Sequence, residues 1–131
     1  AVSMGDEVSM FFTFWGLNAL RREDPPARER SAMERAFSAM MPSGPEQMPL
    51  STMNMLGGGP AMIKRIMKDN NVPSLSELIA SAQAGGVRLV ACTMTMELLG
   101  IAAEDLIDGV ELGGVAMMYG ESNESNGQFF I

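Results

Sequence analysis

The residue with the clearest capacity for chemistry is Cys92, the single cysteine of a 131-residue chain. It directly follows residues 87–91, VRLVA, which are typical of a buried strand in a parallel sheet. Thr93 is predicted to cap a short helix that ends at Gly100. Ligands of such sheets lie beyond the carboxyl ends of strands, and the free N–H groups of a helix start favour a thiolate. Cys92 is therefore a candidate nucleophile, with the backbone N–H groups of Thr93 and Met94 as candidate stabilisers of its anion.

The same position also suits an inert cysteine, because a free cysteine often packs as a small buried hydrophobe. Strand–cysteine–helix is a common pattern, so position alone leaves both interpretations open. A second cysteine is absent, which excludes an intramolecular resolving thiol and argues against thiol–disulfide oxidoreductase chemistry. A lone reactive thiol suits one-step exchange, in which it accepts sulfur as a persulfide and passes it to a partner thiol.

The composition excludes several other classes of function. The chain has no histidine, which removes Ser-His and Cys-His catalysis and the commonest transition-metal ligand, so we expect no metal site. The net charge of −7 argues against nucleic acid as a partner. No apolar run approaches the roughly 20 residues of a membrane span, and residues 1–7 do not resemble a signal peptide. These features predict a soluble protein of a reducing, cytoplasmic compartment.

Other segments offer weaker chemistry. The 14 methionines suit irregular cores and adaptable contact surfaces better than a copper site. Residues 57–60, GGGP, are interpreted as a flexible loop, with anion binding as the alternative, because they lack the G-K-[ST] of a P-loop. The acidic residues between positions 104 and 111 fit neither an EF-hand nor an acid/base pair and are interpreted as solvated helix ends. The basic residues of segments 21–35 and 64–68 are interpreted as solvated helix faces, with an entrance for a small anion as the alternative. Trp15 and Tyr119 favour core or interface positions over a pocket lining.

The elements that would position Cys92 alternate between strand and helix. Strands are predicted at residues 7–14, 87–91 and 128–131, and helices at residues 28–41, 60–71 and 75–84. Ser74 and Glu77 form a predicted capping box, and Gly85 a predicted stop. Residues 42–60 are a predicted mobile loop, and residues 111–119 are ambiguous because of two glycines. This alternation predicts an α/β domain with a parallel sheet. The residues predicted to face the core from the three helices are Met33, Ala36, Phe37, Met40, Met41, Met62, Ile63, Ile66, Met67, Leu75, Leu78 and Ile79.

Three segments resemble the DsrE/DsrF-like family. Residues 7–20, EVSMFFTFWGLNAL, are similar to its second strand and following turn. Residues 54–79, NMLGGGPAMIKRIMKDNNVPSLSELI, are similar to the central loop and helices of the DsrE-type sulfurtransferase branch, sometimes labelled "peroxiredoxin family protein". The most specific match is residues 87–116, VRLVACTMTMELLGIAAEDLIDGVELGGVA, where Cys92 stands at the family's sulfur-binding cysteine.

The resemblance implies a flavodoxin-like three-layer α/β domain with a mostly parallel sheet, and a helix over residues 111–119. It implies a homo-oligomer without a cofactor that carries sulfane sulfur, as persulfide or thiosulfonate, in sulfur relay or oxidation. The implied partners are TusA-like and rhodanese-like carrier proteins and small sulfur anions. The chain departs from the family pattern at its start, since the family's first strand and part of its first helix have no counterpart. We therefore expect residues 1–131 to be one N-terminally truncated domain.

Three hypotheses about function result. The first is a sulfur carrier or sulfurtransferase that uses Cys92. The second is a non-catalytic interaction subunit of an oligomeric sulfur-metabolism complex, in which Cys92 is buried and structural. The third, a nucleotide-binding flavodoxin-like module, lacks a phosphate-binding fingerprint.

Overall fold

The computed structural model describes residues 1–26, 29, 31–48 and 58–129. Within these ranges the strands are β1 (Ser9–Phe12), β2 (Arg88–Cys92) and β3 (Val110–Gly113). The α-helices are α1 (Ala32–Met40), α2 (Gly58–Asp69), α3 (Leu75–Ala84), α4 (Thr93–Leu99) and α5 (Val115–Glu124). Short 3-10 helices span Val2–Met4, Phe14–Leu20, Pro45–Gln47 and Ala103–Asp105. None of the helices in these ranges is long and apolar enough to cross a lipid bilayer.

The three strands form one parallel sheet in the order β1-β2-β3, with β2 at the centre. The register pairs Phe11 with Val90, and Cys92 with Gly113. A parallel sheet needs cover on both faces, and the last four residues of β2 are all buried, as this requires. The α/β flavodoxin-like fold class predicted from the sequence is confirmed.

The two faces of β2 meet different elements, because side chains alternate along a strand. Leu89 and Ala91 join the main hydrophobic cluster, with Leu17 and Leu20 of the Phe14–Leu20 helix and Ile79 of α3. Arg88, Val90 and Cys92 point to the opposite face. These alternating contacts bury the strand that carries Cys92 from both sides.

Helix α5 covers the face of the sheet that carries Val90 and Cys92. A Cβ at Gly113 would lie 2.7 Å from Cγ1 of Val90 and 2.6 Å from Sδ of Met117, so the missing side chain is what lets Met117 approach the strand. Arg88 reinforces the arrangement, because its guanidinium donates to Glu111 of β3 at 2.7 Å and to Glu121 of α5 at 2.8 Å. These ion pairs are partly solvent-exposed and contribute alignment more than stability.

Several local signals were correctly predicted from the sequence. Ser74 caps α3, and its capping box with Glu77 is complete. The backbone hydrogen bond from Ser74 is the main cause that lowers the pKa of Glu77. The helix ends at Gly85, and α4 ends at Gly100, which adopts the left-handed conformation with φ 64°. Each of these signals depends only on neighbours in the chain, which is why the sequence was sufficient.

The predicted third strand was wrong. Gln128 and Phe129 are not in a strand, and residues 130–131 lie outside the described residues. The third strand is instead β3, which overlaps the start of the 111–119 segment that the family resemblance implied to be helical. Only the later part of that segment, from Val115, belongs to α5. β3 is four residues long and precedes a glycine, so its pairing with β2 rather than intrinsic propensity defines it.

The predicted apolar faces of the helices are only partly buried. Met41 and Ile79 are buried and Ile63 and Met67 half-buried, as predicted. Periodicity identifies an apolar stripe on a helix but not the element that covers it, which is why six other residues predicted to face the core are exposed instead. The side chains of Met33 and Phe37 lie outside the described residues. The exposed side chains, contrary to prediction, are Ala36, Met40, Met62, Ile66, Leu75 and Leu78.

The predicted loop over residues 42–60 contains regular structure at both ends. Pro45–Gln47 is a 3-10 helix, and α2 begins at Gly58 with Pro60 as its third residue, not its first. Gly57, the first residue of the GGGP segment, and the rest of residues 49–57 lie outside the described residues. The mobility of this loop therefore stays a prediction.

The first prediction concerns the buried central strand. Leu89→Ala removes a side chain that is 1% exposed, and we expect it to lower the free energy of unfolding by about 2–5 kcal/mol in urea denaturation. Leu98→Ala is the matched control, because Leu98 is exposed on α4, and its loss is expected to be below about 0.5 kcal/mol. Equal losses in the two variants would contradict the assignment of β2 to the core.

The second prediction concerns the contact between α5 and the sheet. Gly113→Ala forces a methyl group against Val90 and Met117, so we expect it to lower the free energy of unfolding by about 1–3 kcal/mol. Gly120→Ala in the neighbouring helix α5 is the control, since a Cβ there meets no atom within 4 Å. It is expected to raise stability by up to about 1 kcal/mol, because alanine favours helix interiors. A neutral Gly113→Ala would contradict the close approach.

Candidate functional site

Cys92 lies at the junction where the central strand turns directly into α4. It is the last residue of β2, paired with Gly113, and also the N-cap residue of α4. The prediction that Thr93 is the N-cap was wrong by one position, because no linker residue separates strand from helix. Thr93 is the first helical residue, and its hydroxyl donates weakly to the carbonyl of Gly113 at 3.5 Å.

Two threonines that the sequence reasoning missed flank the sulfur. Thr13 follows β1, and the parallel register of β1 with β2 brings it level with Cys92. Thr95 lies in the first turn of α4 and is 2% exposed. Their hydroxyl oxygens are 2.9 Å apart, and the backbone N–H of Phe14 donates to Oγ1 of Thr95 at 3.2 Å. The signal available in the sequence was the position of Thr13 directly after the first predicted strand, since parallel strands end at one edge.

Opposing effects act on the thiol of Cys92, and their sum lowers its pKa. Burial is the largest single effect and raises the pKa, because it disfavours the charged form. Four donors outweigh it: the hydroxyl and the backbone N–H of Thr95, the hydroxyl of Thr13 and the backbone N–H of Met94. The sulfur makes no capping bond of ordinary geometry.

The two predicted anion stabilisers are placed differently. The backbone N–H of Met94 is one of the four donors to the sulfur, whereas the N–H of Thr93 is not. The helix start thus acts through its second and third residues, as expected of an N-cap side chain that faces the N2 and N3 amides. Among the described residues, the hydroxyls of Thr13 and Thr95 supply the other half of the polar environment.

Cys92 is buried, although residues near it at the same end of the sheet are exposed. Cys92 is 3% exposed, yet its neighbours at the same edge are open to solvent, with Phe14 63% and Met94 66% exposed. Trp15 and Tyr119 are also exposed, so neither is a core residue of this chain. Phe14 adopts a positive φ of 45°, which is unusual for a bulky residue. Because Cys92 is 3% exposed, a visiting thiol can reach the sulfur only if atoms around it move.

Two buried side chains, Asn18 and Arg21, hold the segment that carries Thr13, Phe14 and Trp15 in place. The side-chain amide of Asn18 donates to the carbonyl of Trp15 at 3.0 Å. Arg21 in turn donates to Oδ1 of Asn18 at 3.3 Å, and both residues are buried. This buried pair fixes the backbone just beyond the threonine that contacts Cys92.

The other sequence features do not converge on Cys92. A surface cleft of about 540 Å³ lies between α2 and α3 and includes Lys68, and a second of about 330 Å³ includes Ser76; neither is lined by Cys92. Lys64 and Arg65 form ion pairs with Glu46 and Asp69, as expected of a solvated face.

The acidic segment has structural roles. Asp105 is buried and accepts from the backbone N–H of Ala102, so its interpretation as a solvated helix end was wrong. Asp108 pairs with Arg22, and Glu111 with Arg88. Across the part of the chain that the structure describes, no group of three metal-binding side chains occurs.

Comparison with known proteins connects this geometry to a family. The sequence model of the DsrE/DsrF/DrsH-like family matches residues 1–130. The chain is 46% identical over 131 residues to the uncharacterized protein YrkE of Bacillus subtilis, a match that covers 100% of this chain and 82% of that protein. It is 34% identical over 130 residues to the sulfur carrier protein DsrE2 of Allochromatium vinosum, which covers 96% of this chain and 80% of that protein. The chain therefore belongs to the DsrE/DsrF/DrsH-like family.

Proposed function

We propose that this protein is a sulfur carrier that holds sulfane sulfur on Cys92 and passes it to a partner thiol. The observation that carries the proposal is the position of Cys92, which ends the central strand, is the N-cap residue of α4 and lies where surrounding donors lower the pKa of its thiol. The similarity to a protein named as a sulfur carrier supports the same function. The site residues are Cys92 and the groups that stabilise its anion.

The proposed reaction consists of two exchanges at sulfur. First, the Cys92 thiolate attacks the outer sulfur of a donor persulfide; a new S–S bond forms, the donor's S–S bond breaks, and the donor leaves as a thiolate. Second, a partner thiolate attacks the outer sulfur now on Cys92, and Cys92 leaves as a thiolate. Neither exchange changes the total number of electrons, so no oxidant, reductant or cofactor is needed.

A lowered thiol pKa serves both exchanges. It raises the fraction of Cys92 present as the attacking thiolate at neutral pH. It also makes Cys92 a better leaving group in the second step, because a thiol of lower pKa departs faster. The same donors that stabilise the resting anion thus stabilise the anion released when sulfur moves on.

The burial of Cys92 bears on the partner. Since Cys92 is 3% exposed, a protein carrier of the TusA-like or rhodanese-like type must displace neighbouring atoms when it brings its own thiol to the sulfur. Small sulfur anions, with either persulfide or thiosulfonate as the bound form, are the second class of donor. We place this exchange in the cytoplasm, between a homo-oligomer of this chain and its partners.

The low exposure of Cys92 also favours a second candidate function. At 3% exposure, the residue resembles a structural cysteine, which is what a non-catalytic interaction subunit would contain. The two functions differ in whether the sulfur reacts in the folded protein, and the next two predictions separate them.

The third prediction tests the sulfur adduct. After incubation with a polysulfide or a persulfidated carrier protein, intact-mass analysis is expected to show wild-type protein heavier by one sulfur atom. Cys92→Ser should remain at its original mass, since the attacking thiolate is absent, and matching circular dichroism spectra would establish that both proteins are folded. A carrier role is contradicted if wild type gains no sulfur, or if the serine variant gains the same mass.

The fourth prediction concerns pH. Because the pKa of Cys92 is lowered, its thiolate persists as the pH falls, and alkylation by iodoacetamide should reach half its maximal rate below the pH of about 8.5 expected for a free cysteine. The same protein in urea supplies the unperturbed reference. Alkylation in urea combined with complete protection in the native protein would support the interaction subunit instead.

A further inference from the structure

Helix α2 carries an apolar pair that the described part of the chain leaves exposed. Its inner face is half-buried through Ile63 and Met67, whereas Met62 and Ile66 are 63% and 52% exposed. Met62 and Ile66 are four residues apart in the chain and therefore neighbours on the helix surface. Arg65, three residues after Met62, lies beside them, and its side chain is 85% exposed. We call Met62, Arg65 and Ile66 the α2 stripe.

Helix α4 carries a set of residues with the same spacing and the opposite charge. Met94 and Leu98, again four residues apart, are 66% and 67% exposed, and Glu97 is exposed as well. Within the described residues, Glu97 takes part in none of the ion pairs. We call Met94, Glu97 and Leu98 the α4 stripe. In both stripes a methionine is followed by a charged residue at the third position and by a branched aliphatic residue at the fourth.

The two stripes are complementary, yet they do not cover each other within one chain, because all their side chains are exposed there. The charge of Arg65 is available for a new partner. Its carboxylate neighbour Asp69, on the same helix, is 3.9 Å away, and both side chains are largely exposed, so this ion pair is weak.

We propose that α2 of one copy of this protein packs against α4 of a second copy, with the apolar residues of the two stripes in contact and Arg65 paired with Glu97 across the interface. Apolar burial supplies the driving force, and the opposite charges fix the register of the two helices. The contact joins two different patches, so it either occurs twice about a two-fold axis or repeats head to tail around a ring. It stands apart from sulfur transfer, although the α4 stripe begins two residues after Cys92.

A second copy suits the α2 stripe better than an anionic membrane does. A basic amphipathic helix can bind such a surface, with a strength that grows with its buried apolar area and with electrostatic attraction. The whole chain carries a net charge of −7, which an anionic surface repels, and the acidic Asp69 lies three residues from Ile66. The α4 stripe, in contrast, offers a carboxylate at the spacing that matches Arg65.

Reversal of the two charges in separate copies tests the inference. Arg65→Glu and Glu97→Arg each place like charges across the interface, so each variant alone is expected to associate about tenfold or more weakly than wild type in sedimentation velocity. When the two variants are mixed in equal amounts, association should return, because every contact between unlike copies joins opposite charges again. Circular dichroism establishes that both variants are folded.

Lys68→Glu is the matched control. It makes the same change of charge on α2, but position 68 is two residues from Ile66 and so points away from the α2 stripe. Its association is expected to equal that of wild type, and a loss as large as that of Arg65→Glu would overturn the inference, since net charge alone would then explain both.

Two further results would overturn the proposed interface. Single variants that stay weakly associated when mixed would contradict the pairing of Arg65 with Glu97. Wild type that remains monomeric throughout the micromolar range but cosediments with phosphatidylglycerol vesicles would assign α2 to a lipid surface instead. The carrier function fails separately: if wild type acquires no sulfur adduct while the mixed variants associate, the sulfur chemistry is lost and the interface stands.

Discussion

The burial of β2 on both faces is the constraint on which the rest of the described structure depends. Leu89 and Ala91 meet the main cluster on one side, while Val90 faces Met117 of α5 on the other. Packing on both faces fixes the position at which this strand ends, and α4 begins directly after Cys92 without a linker. The sulfur of Cys92 is therefore fixed by packing at the point where helix amides and the neighbouring strand end converge.

The same constraint sets the chemistry, because it buries the sulfur and surrounds it with donors at once. Burial alone would raise the thiol pKa and leave an inert cysteine. The hydroxyls of Thr13 and Thr95 and the two amides of α4 reverse that effect, so the thiol is acidified in a site with little exposure. Donors that replace water in a buried site need no reorganisation when charge develops, which is the condition for electrostatic stabilisation.

Local signals along the chain predicted the strand before Cys92, the helix after it, the stop at Gly100 and the capping box of α3. What the sequence alone could not supply depends on pairing between distant segments. β3 is a strand because it pairs with β2, and Thr13 matters because β1 and β2 run parallel in a particular register. The exposed Leu75 and Leu78 show the same limit, since an apolar stripe does not reveal what covers it.

A covered sulfur and a transfer function are compatible if the cover is part of the function. A bound persulfide that stands in water is open to exchange with any thiol, whereas one on a sulfur as buried as that of Cys92 is shielded from such exchange. Phe14, directly after Thr13, is held at a positive φ of 45°, and Asn18 and Arg21 hold the chain beyond it in place. In the proposed carrier, selectivity for the correct partner would then come from access to the buried sulfur rather than from the reactivity of the sulfur itself.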